Sequence, residues 1–272
     1  MTGSSRSPEP DWTIAPARAT EACVSFIRAT MADTGLDGVV VGLSGGIDSA
    51  VATALAVEAL GPERVHALRL PYRTSSQASL DDAAAVADAL GLDAQTVDIS
   101  PVVDVFLAHH PDADAVRRGN VMARVRMITL FDASQVRRAL VLGTGNRTEW
   151  LLGYTTLHGD AACGFNPIGQ LYKTEIRLLA DHLGLPAAVL EKAPSADLWE
   201  GQSDEDELGF TYAEADRLLH HMVDEGLASR QLASLGFAPE VIDRVATRLD
   251  SQAFKRVPPP VCDFARPHPD LA

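Results

Sequence analysis

The sequence has few cysteines and no long apolar run. Its three cysteines, Cys23, Cys163 and Cys262, are far apart and odd in number, and no Cys-x-x-Cys occurs. The sequence therefore supports neither a disulfide framework nor a zinc knuckle. No apolar stretch is long enough to span a bilayer, and the Ser- and Pro-rich first ten residues lack the apolar core of a signal peptide. We expect a cytoplasmic protein that does not contact a membrane.

Positive charge is also scarce. The chain has 23 Lys and Arg residues against 37 Asp and Glu residues, which gives a net charge of −14 and a pI of about 4.9. An acidic protein is poorly suited to holding tRNA or DNA as its main task. With 272 residues and a hydrophobic content of 46%, the chain can bury a sizeable core, so disorder is excluded for most of its length.

Short apolar strands alternate with helical segments up to about residue 172, and only helices follow. The predicted strands cover 38–43, 65–70, 96–99 and 139–143, and the predicted helices cover about 13–33, 48–60, 81–90, 119–138, 173–183, 211–225, 228–235 and 238–252. This alternation predicts an α/β fold, with a parallel sheet flanked by helices on both faces and a helical C-terminal part. We expect a flexible tail over 1–12, a single domain over 13–256 and a Pro-rich tail over 257–272.

A glycine loop between the first strand and the second helix is the most informative segment. It reads Gly42-Leu43-Ser44-Gly45-Gly46-Ile47-Asp48-Ser49. A glycine turn that leads into a helix N-terminus directs backbone N–H groups at one spot, which suits a phosphate chain. Ser44 and Ser49 add hydroxyl donors, and Asp48 lies where a phosphate-bound Mg²⁺ needs a carboxylate. The loop has neither the Gly-Lys-Ser/Thr ending of a kinase-type P-loop nor the spacing of the dinucleotide fingerprint.

A second loop follows the fourth predicted strand. It reads Gly143-Thr144-Gly145-Asn146-Arg147-Thr148-Glu149. Ligands of open parallel sheets lie beyond the carboxyl ends of the strands, so the two loops can face one site. Thr144 can hydrogen-bond a nucleotide, and Glu149 can supply a second carboxylate to Mg²⁺. The alternative for Glu149 is an ordinary acidic residue in the first turn of a helix.

The Ser-Gly-Gly-x-Asp-Ser pattern of the first loop resembles the pyrophosphate loop of N-type ATP pyrophosphatases. From about residue 20 to 260, the order of the motifs resembles ammonia-dependent NAD synthetases. The further motifs are Leu70-Pro71-Tyr72, Asn120-x-x-Ala123-Arg124-x-Arg126-Met127, Leu152-Gly153-Tyr154, Leu171-Tyr172-Lys173-Thr174-Glu175, Lys192-x-Pro194-Ser195-Ala196-x-Leu198 and Gln202-Ser203-Asp204-Glu205-Asp206-Glu207-Leu208-Gly209. The resemblance implies a fold of the adenine nucleotide alpha hydrolase type.

The resemblance also implies roles on the ATP side. The loop from Gly42 through Leu43, Ser44, Gly45, Gly46, Ile47 and Asp48 to Ser49 is expected to hold the ATP phosphates. Thr144, Lys173 and Ser195 are expected to contact ATP, and residues 195–209 are expected to form a mobile lid.

The same resemblance places Mg²⁺ on Asp48 and Glu149 and makes Asp48 and Lys173 the catalytic residues. An ammonium group near the α-phosphate offsets the charge that grows in the transition state. The alternative for Lys173 is a solvated lysine at the start of a helix.

The implied reaction has two steps. A substrate carboxylate displaces pyrophosphate from ATP, and ammonia then attacks the acyl-adenylate to give an amide and AMP. By resemblance the acceptor is deamido-NAD, and the enzyme is a homodimer with the acceptor site near the interface. The chain has no room for a glutaminase domain as well, so ammonia is expected from solution or from a separate donor. No catalytic role is expected for His109, His110, His220, His221 or Cys163.

The acceptor side departs from the family pattern. The family usually reads Thr-Lys-aromatic-Gly-Asp-Gly where this chain reads Thr156-Leu157-His158-Gly159-Asp160-Ala161, and His-Lys-Arg where it reads Phe254-Lys255-Arg256. A later family aspartate is Gly164 here. The acceptor-side candidates are Arg124, Leu157, Asp160, Gly164, Phe254 and Lys255. A buried polar contact is worth roughly 1–3 kcal/mol, so three losses weaken deamido-NAD binding by orders of magnitude unless other residues replace them.

The sequence leaves several hypotheses about the substrate and the function open. Deamido-NAD is the default substrate, with Arg124 and Lys255 retaining it. Alternatively, the chain amidates a different carboxylate that is smaller or more apolar. A nucleotide-binding regulator that does not turn over is a further alternative, against which the intact Asp48, Glu149 and Lys173 argue. The acidic charge and the absence of a cysteine pair argue against a tRNA-modifying relative.

Overall fold

A parallel β-sheet forms the centre of the molecule. The computed structural model describes residues 12–193 and 204–262. The strands of the described chain are β1 (Gly38–Gly42), β2 (Val65–Arg69), β3 (Gln95–Thr96) and β4 (Ala139–Val141). They are all parallel and lie in the order β3-β2-β1-β4, so that β1 pairs with β2 on one edge and with β4 on the other. The carboxyl ends of all strands consequently meet at one edge of the sheet.

The described helices precede, follow and cover these strands. They are α1 (Pro16–Thr34), α2 (Ile47–Leu60), α3 (Gln77–Ala89), α4 (Ser100–Ala108), α5 (Ala115–Arg137), α6 (Arg147–Leu152), α7 (Lys173–His182), α8 (Ala187–Glu191), α9 (Asp204–Leu208), α10 (Tyr212–Leu219), α11 (Ser229–Ser234) and α12 (Pro239–Ser251). Short 3₁₀ turns cover Pro62–Arg64 and Ala253–Arg256, and a π-helical turn covers His220–Asp224.

Both faces of the sheet are covered, as expected for a parallel sheet. Val39 and Val41 of β1 pack into a core with α1, α2, α3 and α7. Val40, which lies between them, points to the opposite face and packs into a core with α4 and α5. This alternation follows from the two-residue period of a strand, and the continuous valine run is typical of a strand buried on both faces. The predicted α/β class with helices on both faces is confirmed.

The C-terminal helices build a second core of their own. Residues of α6, α10, α11 and α12 pack together around the fully buried Leu152, Leu218 and Leu232. Tyr172, which precedes α7, belongs to the same cluster and joins it to the sheet region. The predicted helical C-terminal part is therefore present, and it is attached where α6 and α7 leave the sheet.

Several element boundaries differ from the sequence-based prediction. The strand expected over 96–99 ends at Thr96, because the Asp98 carboxylate accepts a 2.8 Å hydrogen bond from the Ser100 amide and starts α4. Helix α4 itself was not predicted, and neither was the five-residue α8. Helix α3 begins at Gln77 rather than at 81, since the Ser76 hydroxyl caps it by accepting from the Ser79 amide at 3.1 Å.

Two further differences lie in the last third of the chain. The α-helix expected over 211–225 ends at Leu219 and continues as the π-helical turn. Of the lid expected over 195–209, residues 204–208 form α9, whereas residues 195–203 lie outside the described residues. Residues 257–262 contain no helix or strand and are exposed. In the described ranges, no helix combines the length and apolarity needed to cross a membrane.

The second core gives a stability prediction with an internal control. Leu218 is fully buried, whereas Leu235 is 44% exposed on the same helical part. We expect Leu218→Ala to lower the free energy of unfolding by about 2–5 kcal/mol, because it removes buried methyl groups and leaves a cavity. Leu235→Ala should change it by less than about 0.5 kcal/mol. Urea unfolding followed by circular dichroism measures both, and equal losses in the two variants would contradict a packed C-terminal core.

Candidate active site

An open cavity of about 510 Å³ lies at the carboxyl edge of the sheet. Its walls come from the segments that follow three neighbouring strands: Gly42 to Ser44 after β1, Leu70 and Pro71 after β2, and Gly143 and Thr144 after β4. Helix α5 and the segment after α6 form the far side. The two loops singled out in the sequence therefore face one cavity, as the position of ligands in open parallel sheets requires.

The loop after β1 has a backbone that only glycine permits at one position. Gly45 has φ of +79°, and a Cβ atom there would lie 2.3 Å from the Ser79 carbonyl oxygen. Ser49 holds the loop closed, since its hydroxyl accepts from the Ser44 amide at 3.2 Å and donates to the Gly46 carbonyl at 2.9 Å. The turn leads directly into the N-terminus of α2, where backbone N–H groups and the helix dipole favour an anion.

A buried ion cluster lies beside this loop. The Lys173 ammonium, whose side chain is 4% exposed, pairs with Asp48 Oδ2 and lies 3.5 Å from Glu149 Oε1. Asn146 Nδ2 donates a 2.8 Å hydrogen bond to the other oxygen of Asp48. The three charged residues come from α2, α6 and α7, and they lie 125 residues apart at the extreme. The structure thus brings Asp48, Glu149 and Lys173 together.

Local caps and one distant carboxylate position the cluster. Asn146 and Glu149 form a capping box at the start of α6, which fixes the Glu149 side chain. The Lys173 amide donates to the Thr148 hydroxyl at 3.0 Å. Asp216 of α10 is completely buried and accepts from the Thr148 hydroxyl at 2.5 Å and from the Thr174 amide at 2.7 Å. Asp216 therefore joins the first turns of α6 and α7.

The electrostatics of the cluster favour a cation. Burial raises the pKa of Glu149 to about 8, and the negative charge of Asp48 adds to the rise. Burial alone would lower the pKa of Lys173, but the charges of Asp48 and Glu149 more than offset this and raise it. Lys173 is consequently a permanent ammonium. Two carboxylates that repel each other at one point are the oxygen donors that a hard divalent cation such as Mg²⁺ takes.

A third carboxylate, which the sequence did not single out, faces the same cluster. Asp204 of α9 is buried and accepts hydrogen bonds from the Tyr154 and Tyr212 hydroxyls at 3.1 Å each. Its charge contributes to the raised pKa of Glu149 and of Lys173. The Lys173 ammonium also lies 5.1 Å from the centre of the Tyr212 ring. Asp204 and Tyr154 belong to two of the motifs that resemble the family, and this was the sequence signal for them. No such motif contains Asp216 or Tyr212.

The six acceptor-side candidates divide into two groups. Asp160 and Lys255 line the cavity. The Asp160 carboxylate accepts from the Thr156 amide at 2.8 Å, and the Lys255 ammonium donates to the carbonyl oxygens of Gly153 and Thr155 at 2.7 and 2.8 Å. Both residues therefore shape the segment after α6.

The other four candidates lie outside the lining of this cavity. Arg124 is exposed and donates a 3.2 Å hydrogen bond to the Leu157 carbonyl oxygen. A Cβ atom on Gly164 would point at Leu140 of β4, at 3.1 Å from its Cδ2. Phe254 is 59% exposed. The polar residues that line the cavity instead include Asn120, Arg126, Thr156, Glu207 and Arg248.

The remaining candidates from the sequence differ in their position relative to the cavity. Thr144 lines the cavity, and Ser195 lies outside the described residues. Cys163 packs behind the second loop, where a Cβ atom on Gly143 would lie 2.8 Å from its sulfur, and burial raises the pKa of its thiol. His109 and His110 follow α4, whereas His220 and His221 lie in the π-helical turn. None of these four histidines is among the described residues that line the cavity.

Comparison with known proteins agrees with this site. The family model for NAD synthase matches residues 19–259. An NH₃-dependent NAD⁺ synthetase of Trichlorobacter lovleyi is 50% identical over 233 residues, which cover 86% of this chain and 85% of that protein. The corresponding protein of Chlorobaculum tepidum is 49% identical over 248 residues, which cover 91% and 90% of the two chains.

Solved structures give the same result. An NMN synthetase of Francisella tularensis is similar with a TM-score of 0.83 and 33% identity, over 92% of this chain and all of that one. An NH₃-dependent NAD synthetase of Campylobacter jejuni, solved with a nitrate ion, has a TM-score of 0.79 and 34% identity, over 93% of this chain and all of that one. Sequence, fold and site agree, and the chain belongs to the NAD synthase family.

Proposed function

We propose that the protein is an ATP-dependent amide ligase that converts deamido-NAD to NAD with ammonia, releasing AMP and pyrophosphate. The observation that carries the proposal is the buried Lys173 ammonium, held between Asp48 and Glu149 beside a glycine loop. Identity of about 50% to NH₃-dependent NAD⁺ synthetases over most of the chain supports deamido-NAD as the acceptor. In this proposal, residues 13–256 act as a single ligase domain.

The ATP side of the proposal assigns the phosphates to the Gly42–Ser49 loop. Backbone N–H groups of the loop and of the first turn of α2 face the phosphate chain, with Thr144 and Ser195 as further contacts. Lys173 places one positive charge where the α-phosphate is attacked and opposes the charge that develops there. Burial strengthens this interaction, because water does not screen it. Asp48 holds the Lys173 ammonium in place.

Mg²⁺ fits the carboxylates of Asp48 and Glu149. Burial and the negative charge of Asp48 together raise the pKa of Glu149, and a divalent cation relieves the repulsion between the two carboxylates. When bound, the ion neutralises phosphate charge and helps pyrophosphate to leave. The chain itself supplies the fixed oxygen donors: the capping box orients Glu149, and Asn146 orients Asp48.

The acceptor side is proposed to be shared between two copies of the chain. Exposed apolar side chains concentrate on α4 and α5: Val102, Val105, Phe106, Val116, Ile128, Phe131 and Val136. Arg124 lies one helical turn before Ile128 and so occupies the same face of α5. A homodimer through this face brings Arg124 and Leu157 to the interface, next to the cavity of each copy. This accounts for their position outside the cavity of a single chain.

A second candidate acceptor is nicotinic acid mononucleotide. The similar Francisella tularensis protein is an NMN synthetase, and amidation of the mononucleotide acid forms NMN. The mononucleotide is smaller than deamido-NAD, because it lacks the adenylate half. Leu157, Gly164 and Phe254 lie outside the cavity of a single chain, but they stand where the family pattern has polar side chains, and a smaller carboxylate needs fewer such contacts. Ammonia is supplied from solution or by a separate donor in either case.

The acceptor is tested by turnover. AMP and pyrophosphate are measured with ATP, Mg²⁺ and ammonium, using deamido-NAD and nicotinic acid mononucleotide as alternative acceptors. We expect kcat/KM to favour deamido-NAD by at least about tenfold, which corresponds to about 1.4 kcal/mol. A reversed preference would establish the mononucleotide. If neither acceptor gives AMP, both proposals are contradicted, and a different carboxylate or the nucleotide-binding regulator is left.

The metal assignment is tested with two glutamates that both lie in the first turn of a helix. Glu149→Gln removes a proposed ligand, and we expect the Mg²⁺ concentration for half-maximal activity to rise by at least about tenfold. Glu240 is an exposed first-turn residue of α12, so Glu240→Gln should leave that concentration unchanged. An unchanged Mg²⁺ requirement in Glu149→Gln would show that Glu149 is only a helix-capping residue.

The dimer is tested by placing a charge on α5. Ile128 is 58% exposed, so Ile128→Asp should leave the folded chain intact but oppose burial against a second copy. We expect light scattering to give a dimeric mass for the original protein and a monomeric mass for this variant. Leu235→Asp, at another exposed apolar position, should remain dimeric. A dimer that persists in Ile128→Asp would exclude this face.

A further inference from the structure

A cluster of two histidines and two acidic residues lies in the π-helical turn, away from the cavity lining. His220, His221 and Glu225 each offer a ligand atom, and these atoms all lie within 4.8 Å of one another. His220 Nε2 is 3.4 Å from Glu225 Oε1, and His221 Nδ1 is 2.7 Å from Glu225 Oε2. The proposed ATP and acceptor sites use none of these residues.

The π-helical turn is what brings the three side chains together. In an α-helix, residues 220 and 221 diverge by about 100° and cannot both lie over residue 225. Here the Glu225 amide donates to the His220 carbonyl at 3.1 Å, which is the i to i+5 bond of a π-turn. The wider turn brings the Glu225 carboxylate within reach of both imidazoles.

The distances match the coordination of a small divalent cation. Ligand atoms at about 2.0–2.1 Å from a tetrahedral zinc ion lie about 3.4 Å apart, which is the separation of His220 Nε2 and Glu225 Oε1. The shorter His221 to Glu225 distance is a hydrogen bond, whose proton a metal ion replaces. Glu225 is 45% exposed and can move outward by the fraction of an ångström that this requires.

The surroundings of His220 are those of a metal-ligating histidine. Its second ring nitrogen, Nδ1, lies 3.3 Å from Asp224 Oδ2, so one nitrogen faces Glu225 while the other is oriented by a carboxylate. Asp224 is itself held by the Tyr172 hydroxyl at 2.9 Å and by Arg147. The Trp12 ring stacks on the imidazole with a centroid distance of 5.3 Å. The ring is thus fixed from two sides.

We propose that His220, His221 and Glu225 form a zinc-binding site, with Asp224 as the carboxylate that orients His220. Two imidazoles and one carboxylate are donors that suit Zn²⁺, whereas Mg²⁺ takes oxygen ligands. Water completes the coordination, because His220 and His221 are about one fifth exposed. The ion stabilises the π-helical turn. Through Asp224 it also stabilises the position of Tyr172, which directly precedes Lys173.

The test measures Zn²⁺ affinity by competition with a chelator, using the full chain in millimolar Mg²⁺ to occupy the carboxylates at Lys173. We expect one zinc ion per chain, and an affinity at least about tenfold weaker in His220→Gln/His221→Gln. The chain offers a matched control in His109 and His110, which are also adjacent but lie outside the cluster. His109→Gln/His110→Gln should keep the original affinity.

A second readout guards against misfolding of the double variant. Without zinc, the His220→Gln/His221→Gln protein should have the circular dichroism of the original protein. Added Zn²⁺ should raise the melting temperature of the original protein and of the control, and not that of this variant, since binding to the folded state alone stabilises it. Absence of zinc binding in the original protein, or equal affinity in the two double variants, would overturn the proposal.

Discussion

The active site depends on one buried ion cluster, in which the Lys173 ammonium lies between the carboxylates of Asp48 and Glu149. A charged group this deeply buried is tolerated only when it is paired, so α2, α6 and α7 must all meet at one point. Asp216 fixes two of these helices from the C-terminal core. The helical C-terminal part therefore sets the position of Lys173, in addition to lining the cavity with Arg248 and Lys255.

The part of this arrangement that could be predicted from the sequence is the part encoded locally. A valine strand, a glycine turn and an Ala-rich helix specify the Gly42–Ser49 loop within about twenty residues, and the strand ends then place the Gly143–Glu149 loop beside it. The pairing of Lys173 with Asp48 spans 125 residues and has no local signal. The resemblance to a known family placed both residues in one site but did not predict that they pair. Asp216 lies on the buried face of α10 between Tyr212 and Leu219, where only tertiary packing gives an acidic residue its partners.

Helix α4, which was not predicted, shows that the residues at the start of a short segment can determine whether it forms a helix or a strand. Its sequence, with Val102, Val103 and Val105, has the β-branched content that favours a strand. The Asp98 carboxylate and the proline in the first turn nevertheless favour the start of a helix. The carboxylate accepts a hydrogen bond from a first-turn amide, and the proline has no N–H group that would need an acceptor. The exposed valines of α4 also remain on the surface that we assign to a second copy. Their apolar character reflects that surface rather than a buried strand.

The few lysines of the chain are all found in or beside the cavity. The chain has three lysines, and each contacts a group in or beside the cavity: Lys173 the carboxylates, Lys192 the Ser79 hydroxyl and the Asp82 carboxylate, and Lys255 two backbone carbonyls. An ammonium is a compact point charge that fits where the planar fork of arginine does not. Lys255 donates its hydrogen bonds to backbone carbonyls of the segment after α6. Lys255 therefore acts on the cavity mainly through the shape that it gives to this segment of its wall.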